Sequence, residues 1–262
     1  MSRQAEILAE LDAIEAREGI AILLAIESGS RAWGFESPDS DWDVRFLYAR
    51  PTVWHVTLRP GRDVLEFPIS DELDISGWDA RKAINLLLGG NWVVREWLRS
   101  PITYRAEPGF RSALEALAAA LPSRVAAFHH YRSLMDRVWK QWLADREEVV
   151  LKKYLYALRP ALTLRWLRER ADDPPMDMPA LRRGLLLATA EAAALDALLA
   201  AKSASSEMGL GPRFPALDAL IAAEREREPP PREDPPAPAM LAQAEALFRQ
   251  GTGIADARPS RR

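Results

Sequence analysis

Two aspartates with one residue between them, Asp41 and Asp43, lie near the end of the most informative segment of the chain, ESGSRAWGFESPDSDWDVRF at residues 27–46. Asp41 immediately precedes residues 42–48 (WDVRFLY), and Asp43 is the second residue of that stretch. Side-chain types alternate along it as they do along a β-strand. Since alternate residues of a strand point to the same side, we expect both carboxylates to share one face. Two carboxylates this close repel each other unless a cation lies between them. Oxygen ligands of this kind suit Mg²⁺, or Mn²⁺, which shares its remaining coordination sites with substrate phosphates.

A Gly-Ser turn precedes this pair. The dipeptide Gly29-Ser30 follows an apolar run of strand length, residues 21–26 (AILLAI). Glycine lets backbone approach a ligand closely, and N–H groups at the start of a following helix, with the Ser30 hydroxyl, can hold a triphosphate. Each feature alone is common in solvated turns. In the order strand, Gly-Ser, helix, Asp-x-Asp, strand they indicate a nucleotide site, with Gly29, Ser30 and the adjoining Arg31 as candidate phosphate contacts.

A basic and aromatic stretch, KKYLYALRP, lies at residues 152–160. On a helix Lys152, Tyr156 and Arg159 fall at positions i, i+4 and i+7 and share a face. A tyrosine flanked by cations suits a base stacked beside a phosphate, and Lys153 adds a neighbouring charge. A solvated basic face around a buried tyrosine explains the same spacing. On the residues alone, substrate binding and simple packing both remain open.

Composition excludes several other chemistries. The chain has 262 residues, 48% of them hydrophobic, which is enough to bury a sizeable core. It contains no cysteine, which excludes disulfide scaffolds, thiol nucleophiles and thiolate-bound metals, and only three histidines. A formal net charge of −3 means that any nucleic-acid contact must come from a local patch. An acidic N-terminus and apolar runs interrupted by acids predict a cytoplasmic protein with no membrane span.

The elements that must position these residues change in character along the chain. Residues 1–105 mix an amphipathic helix, short strands and turns, whereas the pattern beyond is helical almost throughout. We therefore predict an α+β fold, with a catalytic domain over residues 1–105 and an all-α domain over 106–228. Prolines dominate 229–238, predicted as an extended linker, and 239–262 as a terminal helix with a disordered tail.

Longer strings resemble a known family. Gly29-Ser30 and Asp41-x-Asp43 are similar to the signature of the DNA polymerase β nucleotidyltransferase superfamily. Three strings resemble more narrowly its bacterial branch of predicted nucleotidyltransferases associated with RNA-repair operons: GSRAWGFESPDSDWDVRFLY, ELDISGWDARKAINLLLGGNWVVREWLRSPITY and KKYLYALRPALTLRWL. The resemblance spans roughly residues 20–210. One departure is Trp33, where this pattern would have tyrosine; the metal and phosphate positions are untouched.

The resemblance implies a nucleotidyltransferase core with a mixed β-sheet and flanking helices, followed by a helical domain. It implies a third metal carboxylate on a later strand, which matches Asp74, able to help hold a second metal and accept the proton of an attacking hydroxyl. It favours nucleoside monophosphate transfer from an NTP to a hydroxyl, and for the acceptor an RNA 3′ end, tRNA-like, with Lys152, Lys153, Tyr156 and Arg159 as substrate contacts. A protein or small-molecule acceptor (antitoxin-like or aminoglycoside-like) and a catalytically silent nucleotide-binding module stay open.

Overall fold

The computed structural model describes residues 2–59, 61–70, 72–203 and 209–253. Its described residues form two compact units. The first, the sheet unit, comprises those within 1–28, 42–122 and 234–262; the second, the helical unit, comprises those within 29–41 and 123–233. Residues 106–122 and the last helix thus group with the sheet, and the segment carrying Gly29, Ser30 and Asp41 groups with the helices.

The sheet unit contains five strands and six helices in its described residues. They are α1 (Arg3–Glu18), β1 (Ala21–Glu27), β2 (Trp42–Ala49), α3 (Thr52–His55), β3 (Val64–Glu66), β4 (Leu73–Asp79), α4 (Ala80–Leu88), α5 (Trp92–Leu98), β5 (Thr103–Ala106), α6 (Pro108–Ala120) and α12 (Pro238–Gly251); the short α2 (Gly29–Ala32) lies between β1 and β2 in sequence and belongs to the helical unit. The strand order is β3-β4-β2-β1-β5, with β2 and β4 parallel and the other neighbours antiparallel.

Apolar cores cover both faces of this sheet. On one face α1 packs Ile7, Leu11 and Ile14, all fully buried, against alternate side chains of β2 such as Phe46. The opposite face packs against α4, α5, α6 and α12. Burying a side chain such as Leu11 contributes about 1.5–3 kcal/mol, so these two layers hold the strands that position the acids.

The helical unit contains the remaining elements. They are α2, α7 (Arg124–Val138), a π-helical turn (Trp139–Leu143), β6 (Glu148–Val150), α8 (Leu151–Glu169), α9 (Met178–Gly184), α10 (Thr189–Ser203), β7 (Leu210–Pro212) and α11 (Pro215–Arg225). Strands β6 and β7 pair as an antiparallel ribbon, so the expectation of an all-α C-terminal domain is wrong at this one point. Three-residue strands carry too little alternation to be recognised in sequence, and their partner lies far along the chain.

Residues 179–201 lie in the stretch with an almost continuous helical pattern, but the structure divides them between two helices, α9 and α10. Helix α9 ends at Gly184, where a Cβ atom would lie 2.1 Å from the ring of Trp166, so close packing requires glycine there. Helix α10 starts anew at Thr189, and the Glu191 carboxylate accepts the N–H of Ala188 and pairs with Arg165. Tertiary contacts therefore override a continuous helical pattern.

The α+β class with a mixed sheet and a largely helical C-terminal part is confirmed.

The Pro-rich segment has no helix or strand between α11 and Pro238. It nevertheless makes specific hydrogen bonds to the rest of the helical unit. Its Glu233 carboxylate accepts the backbone N–H groups of Ser123, Arg124 and Val125 at the start of α7. Residues 254–262, which make up most of the predicted disordered tail, lie outside the described residues. None of the described helices is long and apolar enough to cross a membrane.

Candidate active site

Asp43 and Asp74 lie side by side on the parallel strands β2 and β4. They are register partners, and because side chains at paired positions point to the same side, both carboxylates occupy one face of the sheet. The guanidinium of Arg45, two residues along β2, donates from Nη2 to Asp43 Oδ1 at 3.2 Å and to Asp74 Oδ2 at 2.7 Å. Asp74, the metal carboxylate that the resemblance implies, thus lies next to Asp43. The alternation of β2 also puts Arg45 on this face, a signal that sequence reasoning overlooked.

The backbone of Asp43 is held by the end of β1. Its N–H donates to Glu27 Oε1 at 2.8 Å, and its carbonyl accepts the N–H of Ser28 at 2.8 Å. Glu27 is fully buried, and its second oxygen accepts the hydroxyl of Tyr104 on β5 at 2.5 Å. Sequence reasoning missed this residue, although an acid that ends an apolar strand just before a Gly-Ser turn was a usable signal.

Gly29 and Ser30 start α2, a single helical turn within the helical unit. Gly29 has φ of 59°, in the left-handed region that glycine adopts without strain. Ser30 is buried, and its carbonyl accepts the N–H of Phe35. This local geometry is compatible with the phosphate-binding role, which remains a prediction.

Arg31 and Asp41 are joined by backbone contacts. Arg31 donates from Nη2 to the carbonyl of Ser40 at 2.6 Å and from Nε to that of Asp41 at 3.2 Å. Asp41 is exposed and precedes β2, which begins at Trp42, so the strand-alternation argument does not itself orient the Asp41 side chain. Arg31 therefore holds the loop before β2, a role that the phosphate hypothesis did not include.

The basic stretch of α8 is more buried than its spacing suggested. Lys153 Nζ lies 4.7 Å from the ring centroid of Trp142 and 5.3 Å from that of Tyr156. Tyr156 in turn packs edge-on against Trp33 and Phe35, at centroid distances of 5.6 and 6.0 Å. Lys152 is half-buried. Within the helical unit, Tyr156 thus contributes to an aromatic cluster with residues that directly follow the Gly-Ser turn.

Arg159 is 4% exposed and is part of this packing. Its Nε donates to the carbonyl of Met176 at 2.9 Å, and its guanidinium lies 4.6 Å from the ring centroid of Trp33. Burial lowers the pKa of the Arg159 side chain, and the nearby charge of Asp177 acts in the opposite direction. Of the three residues predicted to share a face of this helix, Lys152, Tyr156 and Arg159, the last is therefore buried within the helical unit.

The donor atoms on the sheet fit a divalent cation. Among the described residues, no three histidine or acidic side chains converge as a preformed metal cage. Asp43 and Asp74 nevertheless present oxygen donors of the type that Mg²⁺ takes, at a place where the protein already sets a cationic group, Arg45. Such a pair suits an ion whose remaining ligands are phosphates and water.

Comparisons with known proteins identify the family of this chain. The chain matches the family model RlaP, described as the RNA repair pathway DNA polymerase beta family, over residues 3–250. It is also 39% identical over 221 residues to the uncharacterized protein YcgL of Bacillus subtilis (strain 168), an alignment that covers 84% of this chain and 85% of that protein. The chain, whose sheet pairs Asp43 with Asp74, is matched over nearly its whole length. It therefore belongs to the RNA repair pathway DNA polymerase beta family.

Proposed function

We propose that this protein is a metal-dependent nucleotidyltransferase that transfers a nucleoside monophosphate from an NTP to a hydroxyl group. The observation that carries this proposal is the in-register pair of Asp43 and Asp74 on neighbouring parallel strands. Membership of a polymerase beta family supports the same reaction class. The oxygen of the acceptor forms a bond to the α-phosphorus, the bond from that phosphorus to the bridging oxygen breaks, and pyrophosphate leaves.

Three acids would hold Mg²⁺ or Mn²⁺ in this reaction: Asp41, Asp43 and Asp74. When bound, such an ion neutralises the triphosphate and the charge that develops on the leaving group. Asp74 accepts the proton of the attacking hydroxyl. Gly29 and Ser30 would hold the phosphates through backbone N–H groups and the Ser30 hydroxyl.

For the acceptor we propose an RNA 3′ end. The family description refers to RNA repair, and this supports RNA over a protein or a small molecule. Glu72 and Asp74, beside and on β4, would repel a polyanion, so we propose that the helical unit supplies the phosphate contacts. Lys152 is the first candidate, since Lys153 and Arg159 are engaged with aromatic rings.

A transfer assay tests the reaction. The protein is incubated with each α-labelled NTP, Mg²⁺ and either total tRNA or cell extract, and the labelled product is identified. Label in RNA supports the RNA acceptor, whereas label in protein or in small molecules assigns the acceptor to those classes. No labelled product with any NTP, despite NTP binding, would point instead to a silent nucleotide-binding module.

Variants connect that activity to the acids. We expect Asp43→Ala to lower the transfer rate at least about 100-fold, the scale of losing a group that stabilises charge in the transition state. Folding should survive, as judged by circular dichroism. Glu66→Ala is the matched control, because Glu66 is an exposed acid on the edge strand β3 of the same sheet. Full activity in Asp43→Ala would exclude the metal assignment.

Salt dependence tests the RNA contact separately. Each phosphate contact steepens the log–log fall of RNA affinity with salt by about 0.7–0.9. Lys152→Ala should weaken RNA binding and flatten that slope by about this amount, with NTP binding nearly unchanged. Lys82→Ala, a lysine of the sheet unit paired with Asp63, serves as the control. A slope unchanged by Lys152→Ala would remove this lysine from the RNA contact.

A further inference from the structure

Lys202, near the end of α10, is a charged side chain in an unusual environment. It is 1% exposed, and its Nζ donates to Ser37 Oγ, a neutral hydroxyl. Among the described residues, the group that Nζ contacts by a hydrogen bond is thus a hydroxyl and not a carboxylate. Burial lowers the pKa of Lys202, and repulsion from Lys152 lowers it further, against the opposing influence of Asp39 and Glu36. Burying an amine without a carboxylate partner is costly, which calls for a compensating role.

The partner of Lys202 belongs to a pair of linked serines. Ser37 and Ser40 are both buried, and their hydroxyl oxygens lie 3.1 Å apart. The N–H of Ser37 donates to Ser40 Oγ at 2.9 Å, and the N–H of Ser40 donates to the carbonyl of Ser37 at 2.9 Å. Residues 36–41 contain no helix or strand, so these side-chain contacts determine the path of the loop.

The other end of the same loop is held by Arg31. Its guanidinium reaches the carbonyls of Ser40 and Asp41, as described above. Asp41 is thus the exposed last residue of a loop that is fixed from two sides, by Arg31 and, through the serine pair, by Lys202. Every member of this network lies in the helical unit.

We propose that Lys202 is a positioning residue for Asp41: through Ser37 and Ser40 it fixes the loop 36–41 in the conformation that presents the Asp41 carboxylate to a divalent cation. The proposal rests on the metal role given to Asp41 in the proposed function. Residues that orient a metal ligand typically change metal affinity about 10–100-fold when they are removed. Lys202 would act through the loop and would touch neither substrate nor metal.

The first test measures the loop without any activity. Hydrogen–deuterium exchange is followed over residues 36–41 in the wild type, Lys202→Met, Ser37→Ala and the double variant. If both residues act through one contact, each single change speeds exchange about tenfold and the double variant is no faster than either. Lys140→Met, which alters an exposed lysine of the helical unit, should exchange like the wild type. Unchanged exchange in Lys202→Met, or additive effects in the double variant, would overturn the proposal.

The second test measures the consequence for the metal. Mn²⁺ binding, followed by electron paramagnetic resonance, and the Mg²⁺ concentration for half-maximal transfer should both weaken about tenfold in Lys202→Met. The rate at saturating metal should fall much less. A lower rate at every metal concentration with unchanged Mn²⁺ affinity contradicts positioning. If Lys202→Met does not fold, Ser37→Ala carries both tests.

The two tests separate this proposal from the proposed function. A wild type that neither binds Mn²⁺ nor transfers nucleotides would defeat the proposed function, and with it the metal role of Asp41. Hydrogen exchange would still decide whether Lys202 fixes the loop. If the wild type transfers nucleotides normally, but exchange over residues 36–41 is the same in Lys202→Met as in the wild type, this proposal alone fails.

Discussion

Asp43 and Asp74 share a single guanidinium nitrogen: Arg45 Nη2 lies 3.2 Å from one carboxylate and 2.7 Å from the other. The pairing follows from the register of β2 with β4, and the position of Arg45 follows from the two-residue period of β2. The protein therefore balances with its own cation the repulsion that two adjacent carboxylates would otherwise have.

This relationship predicts the behaviour of Arg45→Met. Without a divalent cation the change leaves two close carboxylates unbalanced, and we expect a loss of about 1–2 kcal/mol in the free energy of unfolding. Excess Mg²⁺ should restore more stability to the variant than to the wild type. Urea unfolding in EDTA and in Mg²⁺ measures both effects. Arg62→Met, which removes an exposed pair with Glu66, is the control, and an equal response of the two variants would contradict the prediction.

Removing the Glu27 side chain should cost more stability than removing the Tyr104 hydroxyl that donates to it. Glu27→Ala leaves the Asp43 N–H and the Tyr104 hydroxyl without this acceptor and creates a cavity at a fully buried position, at a cost of about 3 kcal/mol. Tyr104→Phe removes one hydrogen bond and should cost about 1 kcal/mol. Chemical denaturation compares them, and a smaller loss in Glu27→Ala than in Tyr104→Phe would refute this ranking.

Gly77 on β4 keeps the pairing of β2 with β4 close. It is the register partner of Phe46, and a Cβ atom at Gly77 would lie 2.2 Å from that ring. Gly77→Ala should therefore lower stability by about 2–3 kcal/mol, since the ring must move within a packed core. Gly209→Ala, where none of the described residues has an atom within 4 Å of the added atom, should be close to neutral. Thermal unfolding of both variants provides the measurement.

Glu233 predicts a pH dependence of stability. Burial alone would raise the pKa of its carboxyl, but the N–H groups of Val125, Arg124 and Ser123 lower that pKa below its ordinary 4.5. The ionised form is thus favoured in the folded state, and its stabilisation is complete above pH 4.5 and is lost as pH falls through the folded pKa. At neutral pH the free energy of unfolding of the wild type should exceed that of Glu233→Ala by about 1 kcal/mol.

Unfolding curves at several pH values measure this difference. It should shrink towards zero as the solution becomes more acidic than the folded pKa of Glu233. Asp234→Ala, a change at the next residue of the same exposed segment, should show no such trend. A constant difference between wild type and Glu233→Ala across the acid range would mean that the carboxylate charge contributes nothing to capping α7.

Features that depend on neighbouring residues could be predicted from the sequence. Alternation predicted β2, and helical spacing predicted an amphipathic helix in the N-terminal part, which is α1, and a largely helical pattern beyond residue 105. The Gly-Ser and Asp-x-Asp pattern indicated nucleotide chemistry, because types and spacing of nearby groups limit what they can bind.

Which distant residues meet could not be predicted from local patterns, because it depends on how whole elements pack. Asp74 was named from a resemblance, but strand register sets it beside Asp43, and Arg45 became visible as their shared partner only in that pairing. The burial of Arg159 and the contact of Lys202 with Ser37 likewise join residues far apart in the chain. A local pattern encodes the period of an element and not its partner; the partner is selected by the packing of whole elements, and hence by contacts that no short segment contains.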